Sequence, residues 1–470
     1  GITLAPNGTS VAAAGYNILD IRVDPALIAG GGNATTGNAQ PANAILNDVF
    51  TNTTAAALTV EYDIVPVSAA GCLGDLVTVI LTVDPEPVID PNLDATICSD
   101  LPSGIILNTN GTSVAADSYN ITDIRVSFGL TAAGGNATEG NNQPDNAIAA
   151  DVFTNTTSNV LTVQYDVVPV SADGCLGDLV TITLTVNPEP VLSSTLNTTI
   201  CSDLPSGITL TTNGISVAAA TYNILDIRVD AGLTADAGNA VIGNGQPANA
   251  IAGDIFTNTT NGVLTVQYDI VPVSAAGCEG DMRTVTLTVN PEPVLDPALD
   301  ATVCSDTPSG ITLATTGTSV AASYYNLLDI RVDAGLTPGA FNATIGNGRA
   351  SGAIFNDQFT NTTGGALTVE YDVVPVSANG CEGDLVTVTL TVNPEPVVDP
   401  NLDATVCSDL PSGITLNTNG TSVAAASYNI VAIRRDFSLV AAGGNATTGN
   451  GQPANAIAGD VFTNTTASAH

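Results

Sequence analysis

The chain has 470 residues, of which 45 are acidic and eight are cationic, and its formal net charge is −37. That balance excludes nucleic-acid binding through a basic patch and disfavours anionic membrane surfaces. All eight cations are arginine, so lysine-based isopeptide cross-links are excluded as well.

Apolar residues make up 44% of the chain, enough for packed cores despite the charge. There is no Trp, and Gly, Pro, Val, Thr and Asn abound, which favours strands and turns over helix. No apolar run is long enough to span a membrane. One His, at the last position, no Lys, and no Gly-x-Ser-x-Gly or phosphate-binding loop leave no inventory for catalysis.

Taken in order, the sequence repeats every 103 residues without insertion. Tyr62, Tyr165, Tyr268 and Tyr371 mark one series. Cys72, Cys175, Cys278 and Cys381 form a second, and Cys98, Cys201, Cys304 and Cys407 a third. A period of this length fits a small domain rather than a solenoid unit. The expected divisions are a partial repeat over 1–88, full repeats over 94–191, 197–294 and 300–397, and a partial repeat over 403–470. Gly1-Ile-Thr-Leu matches mid-repeat residues at Gly104 and Gly207, so the sequence reads as a window on a longer protein. His470 stands where Leu58, Leu161, Leu264 and Leu367 stand, and reads as an end effect or a variant rather than a ligand.

Within one copy, Thr96 to Gly104 opens with a short extended segment and a Pro/Gly turn. Ile105–Thr109 and Tyr119–Val126 read as strands. In the third copy, Leu225, Ile227 and Val229 are expected on one face and Tyr222, Ile224, Asp226, Arg228 and Asp230 on the other. A Gly/Asn-rich stretch from Ala132 to Asn146 follows, then a short strand over Ile148–Thr154. The two clearest strands close the unit. Leu161, Val163, Tyr165 and Val167 share a face in one, and Val180, Ile182, Leu184 and Val186 in the other. Six or seven strands per repeat and no helical pattern predict an all-β chain of tandem immunoglobulin-like sandwiches arranged as a rod. Paired prolines end each unit: Pro85 and Pro87, Pro188 and Pro190, Pro291 and Pro293, Pro394 and Pro396. They stop sheet pairing and stiffen the connection.

These residues carry a resemblance. Val-x-Tyr-x-Val-x-Pro, then Gly-Cys-x-Gly, Val-Thr-x-Thr-Val-x-Pro-x-Pro and Ile/Val-Cys-Ser are similar to the PKD-like, immunoglobulin-like repeats of giant Bacteroidota surface proteins, the SprB-like gliding-motility adhesins among them. The resemblance covers the whole chain. It implies type IX export, cell-surface attachment, and a stalk or filament that holds adhesive parts away from the cell. The implied partners are neighbouring repeats of the same chain and an extracellular surface or polysaccharide. A self-assembling fibre or surface layer is the alternative.

Two Cys per repeat, with no Cys-x-x-Cys and no His partner, point to disulfides rather than zinc. Pairing within a domain competes with pairing across a junction, Cys72 to Cys98. In an immunoglobulin-like sandwich the first strand starts at the end that holds the last hairpin loop. The expectation is therefore Cys98–Cys175, Cys201–Cys278 and Cys304–Cys381, with partners of Cys72 and Cys407 outside the fragment. Arg228 is expected to form a surface salt bridge with Asp226 and Asp230. No cofactor is called for. Asp151, Asp166, Asp178 and Asp203 are candidate calcium ligands at the junctions, against a plainer reading as solvated turns. Asn-x-Ser/Thr triplets, among them Asn33, Asn52, Asn110, Asn136, Asn155, Asn258, Asn342, Asn361, Asn445 and Asn464, read either as glycan acceptors or as turns and strand edges.

Overall fold

Alternating Val, Tyr and Thr residues build the centre of the first four repeats, and the second repeat shows their arrangement in full. The computed structural model describes residues 1–470. The second repeat contains β1 (Ala95–Cys98), β2 (Ala116–Val126), β3 (Thr131–Ala132), β4 (Gly140–Gln143), β5 (Phe153–Thr154), β6 (Leu161–Ser171) and β7 (Val180–Asn187). No helix occurs. The main sheet has the order β4-β2-β6-β7-β1, and β3 pairs with β5 in a second, two-stranded sheet. All pairs are antiparallel except β1, which lies parallel to β7. The third and fourth repeats have the same five-stranded sheet. The main sheet of the first has four strands, and the fifth has two small ladders.

Alternation works as the sequence predicts in β6 and β7. Val163, Tyr165, Val167, Leu184 and Val186 are fully buried, each contributing about 1.5–3 kcal/mol. They face a thinner layer containing Ile105, Leu107, Ile148 and Phe153. The buried Tyr165 hydroxyl donates to Asp151 Oδ2 at 2.8 Å, and Asp151 Oδ1 accepts the Ala137 amide at 2.7 Å. A polar pair inside an apolar core is thereby satisfied.

Three local readings change. Ile105–Thr109 is extended but joins no ladder; Leu107 N–H donates instead to the Asp145 carbonyl. Of Ile148–Thr154 only Phe153–Thr154 is strand, because residues 144–151 form successive turns closed by Ala147→Pro144, Ala149→Asn146 and Asp151→Ile148 bonds. In the third repeat the register jumps between Ile224↔Ile270 and Asp226↔Asp269, so Leu225 is an extra residue. This bulge reverses the alternation. Ile227 packs against the core with Tyr222 and Ile224, and Leu225 is half exposed.

The core clusters of the second, third and fourth repeats begin at Ile89, Leu192 and Leu295. Each therefore starts directly after a Pro-Glu-Pro segment, ahead of residues 94, 197 and 300.

Candidate functional site: the repeat junctions

Between the second and third repeats the chain passes through Pro188-Glu189-Pro190, and all three residues are buried. The Glu189 amide donates to the Asn155 carbonyl at 2.9 Å. The Asn155 side chain organises the turn beneath it. Its Oδ1 accepts from the Thr157 amide and hydroxyl, and its Nδ2 donates to the Asn159 and Val186 carbonyls. From that turn the Thr157 carbonyl reaches into the next repeat and accepts the Val217 amide at 3.1 Å. The same bond recurs as Val114→Thr54, Val320→Thr260 and Val423→Thr363, so all four junctions carry it.

The next repeat folds a hairpin loop back onto the linker. In the third repeat this loop joins the strands Leu264–Ser274 and Arg283–Asn290. A Cβ at Gly280 would lie 1.8 Å from the Pro190 carbonyl oxygen, which only glycine tolerates. Gly177 and Gly383 sit equally close to the Pro87 and Pro293 carbonyls.

Disulfides close two of the junctions. They join Cys98 to Cys278 and Cys201 to Cys381, each with Cα atoms 5.3 Å apart and a sequence separation of 180. The pairs expected within single repeats, Cys98–Cys175, Cys201–Cys278 and Cys304–Cys381, are not formed. The cause is the direction of β1. Because β1 runs parallel to β7, Cys98 lies beside Asn187, where β7 ends, whereas Cys175 lies in the loop where β7 begins. Eight residues of strand separate them, roughly 26 Å. The hairpin loop of the following repeat is at hand instead. Cys72, Cys175, Cys304 and Cys407 are unpaired.

The carboxylates divide between two roles. Asp151 is held by Tyr165 and Ala137, and burial pushes its carboxyl above the ordinary range. Asp166 accepts two bonds from Arg125 and one from the Thr181 hydroxyl. The Arg125 guanidinium, then Thr181, hold its carboxyl at about 2. In the third repeat, Arg228 bonds Asp226 at 2.8 Å and Asp269 at 2.5 and 2.9 Å. Asp230 is not its partner; that carboxylate accepts the Thr265 amide and hydroxyl. Asp178 and Asp203 do lie at junctions, beside Glu86 and Glu292 respectively. The four calcium candidates are thus dispersed, three of them (Asp151, Asp166 and Asp203) bound up in internal bonds, and no group of three or more His, Cys, Asp or Glu side chains is arranged to hold a metal ion.

Sequence reasoning missed Glu189 and Glu292, each 3% exposed. Burial, then a hydrogen bond to Asp100, raises Glu189 from 4.5 to about 8. Burial, then a hydrogen bond to Asp203, raises Glu292 likewise to about 8. The signal was the glutamate held between the two prolines of every linker. The glycan-acceptor reading fails for Asn52, Asn155, Asn258 and Asn361. They are at most 2% exposed, and their Nδ2 atoms are committed to backbone carbonyls.

A family model described as the PKD-like domain matches residues 28–87, 107–190, 199–293 and 337–396. No curated protein matches the chain. Among solved structures, the fibronectin(III)-like modules of Clostridium thermocellum CbhA align at 12% identity and a TM-score of 0.16, over 46% of this chain and 98% of that one. The FN1–FN3 domains of chicken CNTN1 align at 12% identity and a TM-score of 0.20, over 66% and 99%. The sialic acid binding region of a Streptococcus sanguinis adhesin aligns at 13% identity and a TM-score of 0.14, over 67% and 81%. At such scores these likenesses carry no argument about function.

Proposed function

The chain belongs to the PKD-like domain family, and from that premise we propose that it is a structural stalk of a secreted, surface-attached adhesin. The observation that carries the reading is the junction. The same backbone bond between neighbouring repeats recurs at all four junctions, under a linker that is buried in the one described above. Repeats set on one another in the same way supply length, and the clamped linkers restrict bending. Disulfides suit an oxidising, extracellular setting. No helix is long and apolar enough to cross a membrane. The high negative charge keeps extended chains apart. Attachment to a cell surface, contact with a polysaccharide and a part in gliding motility follow from the resemblance to surface adhesins. Adhesion then resides elsewhere, or weakly and many times over in the Gly/Asn-rich loops.

Electron microscopy of the oxidised chain tests this reading. The expected particles are single threads one repeat wide and roughly 160–200 Å long, from ~3.3 Å per strand residue along each repeat. Freely jointed beads would contradict the stalk. Lattices or multi-chain bundles would favour a self-assembling fibre or surface layer.

A further inference from the structure

The two disulfides overlap. Cys201 lies inside the loop closed by Cys98–Cys278, and Cys278 lies inside the loop closed by Cys201–Cys381. Tension applied to the ends of a chain settles on its shortest covalent route. We propose that the overlapping disulfides form a covalent load path that bypasses most of the chain between Cys98 and Cys381. The route runs from Cys98 across to Cys278, back along the chain to Cys201, and across to Cys381. Residues 99–200 and 279–380 stay off it even when every repeat is unfolded. Between Cys98 and Cys381 only the third repeat is loaded, with its segment between Cys201 and Cys278 drawn in reverse. The inference rests on connectivity and is independent of the stalk reading.

The arrangement differs from two separate clips. With both bonds intact, about 200 residues are hidden from extension, on the order of 700 Å at ~3.5 Å per residue. With either bond gone, the other still hides most of that length. The route lengthens by only about 25 residues, on the order of 90 Å. Full release needs both bonds to open, so the limit on extension survives the loss of one. Each bond opens when a phosphine reductant gives up two electrons and water gives up two protons, which yields two thiols, while the oxygen of that water turns the phosphine into its oxide.

Optical-tweezers measurement of the full chain tests this, with handles on non-cysteine tags at the two termini and free thiols alkylated beforehand. The expected result is a fully unfolded length that grows on the order of 700 Å after reduction with a phosphine. Cys98→Ser or Cys201→Ser alone should add only on the order of 90 Å. A gain on the order of 270 Å in either variant would show bonds closed within single repeats and overturn the proposal. A wild-type length unchanged by reductant would overturn it too. Both readings are taken on the unfolded chain, so a variant that folds poorly still reports the route, and reduction of the wild type needs no variant.

Discussion

Glu189 shows most clearly what burial at a junction does to a single residue. Its carboxyl lies in a nearly closed site beside Asp100, with Asp281 of the next repeat nearby, and it is pushed up to about 8. The sign follows from that rise. The proton on Glu189 stabilises the fold fully below its ordinary 4.5, and this contribution is lost as pH climbs through about 8. Glu292, beside Asp203 and Asp384, behaves alike. Asp166 and Asp269 act in the opposite direction, being held near 2 and losing their contribution only in strong acid. The melting temperature should therefore fall between pH 5 and pH 9, and Glu189→Gln with Glu292→Gln should flatten that fall. Parallel curves for the variant and the parent would show that these carboxyls do not couple to folding. The glutamate could be seen in the sequence as a recurring member of Pro-Glu-Pro, but its burial could not. Its cover comes from a hairpin loop nearly a hundred residues further along. Asn155 was more legible, because an Asn followed two residues later by Thr in every repeat is the signature of a side-chain-capped turn as much as of a glycan site.

Among the elements, β6 and β7 were readable because one face of each is buried and their alternation is unbroken. β2 was only half readable, since its bulge shifts the face without leaving any mark in composition. The direction of β1 was not readable at all. Four residues of alternating pattern look the same parallel or antiparallel, and the whole disulfide assignment turned on that choice. The hairpin loop that meets the linker gives a test at this scale. Gly280→Ala places a methyl group against the Pro190 carbonyl and forces loop and linker apart. A loss of about 1–3 kcal/mol is expected, as for other overpacked sites, measured by thermal or denaturant unfolding. Gly262→Ala meets no atom within 4 Å and should change little by comparison. Equal effects of the two substitutions would contradict the close packing of loop on linker.

Across the whole molecule, the 103-residue period and the all-β class were evident from the sequence, because they depend on local pattern and repetition. What joins the repeats was hidden. The Val217–Thr157 bond uses backbone groups, which carry no sequence signature, and a separation of 180 between bonded cysteines spans nearly two periods. Within residues 1–470 that same offset finds no cysteine opposite Cys72, Cys175, Cys304 or Cys407. The consequence is an array whose units are tied to their neighbours rather than closed on themselves. In the chain-entropy picture each such loop contributes about 5 kcal/mol. The central claim is thus the identity of the bonded pairs, and proteolysis without reduction followed by mass spectrometry of the cross-linked peptides tests it directly. The structure requires a peptide containing Cys98 joined to one containing Cys278, and likewise Cys201 to Cys381, with four cysteines unpaired. A peptide joining Cys98 to Cys175 would contradict it.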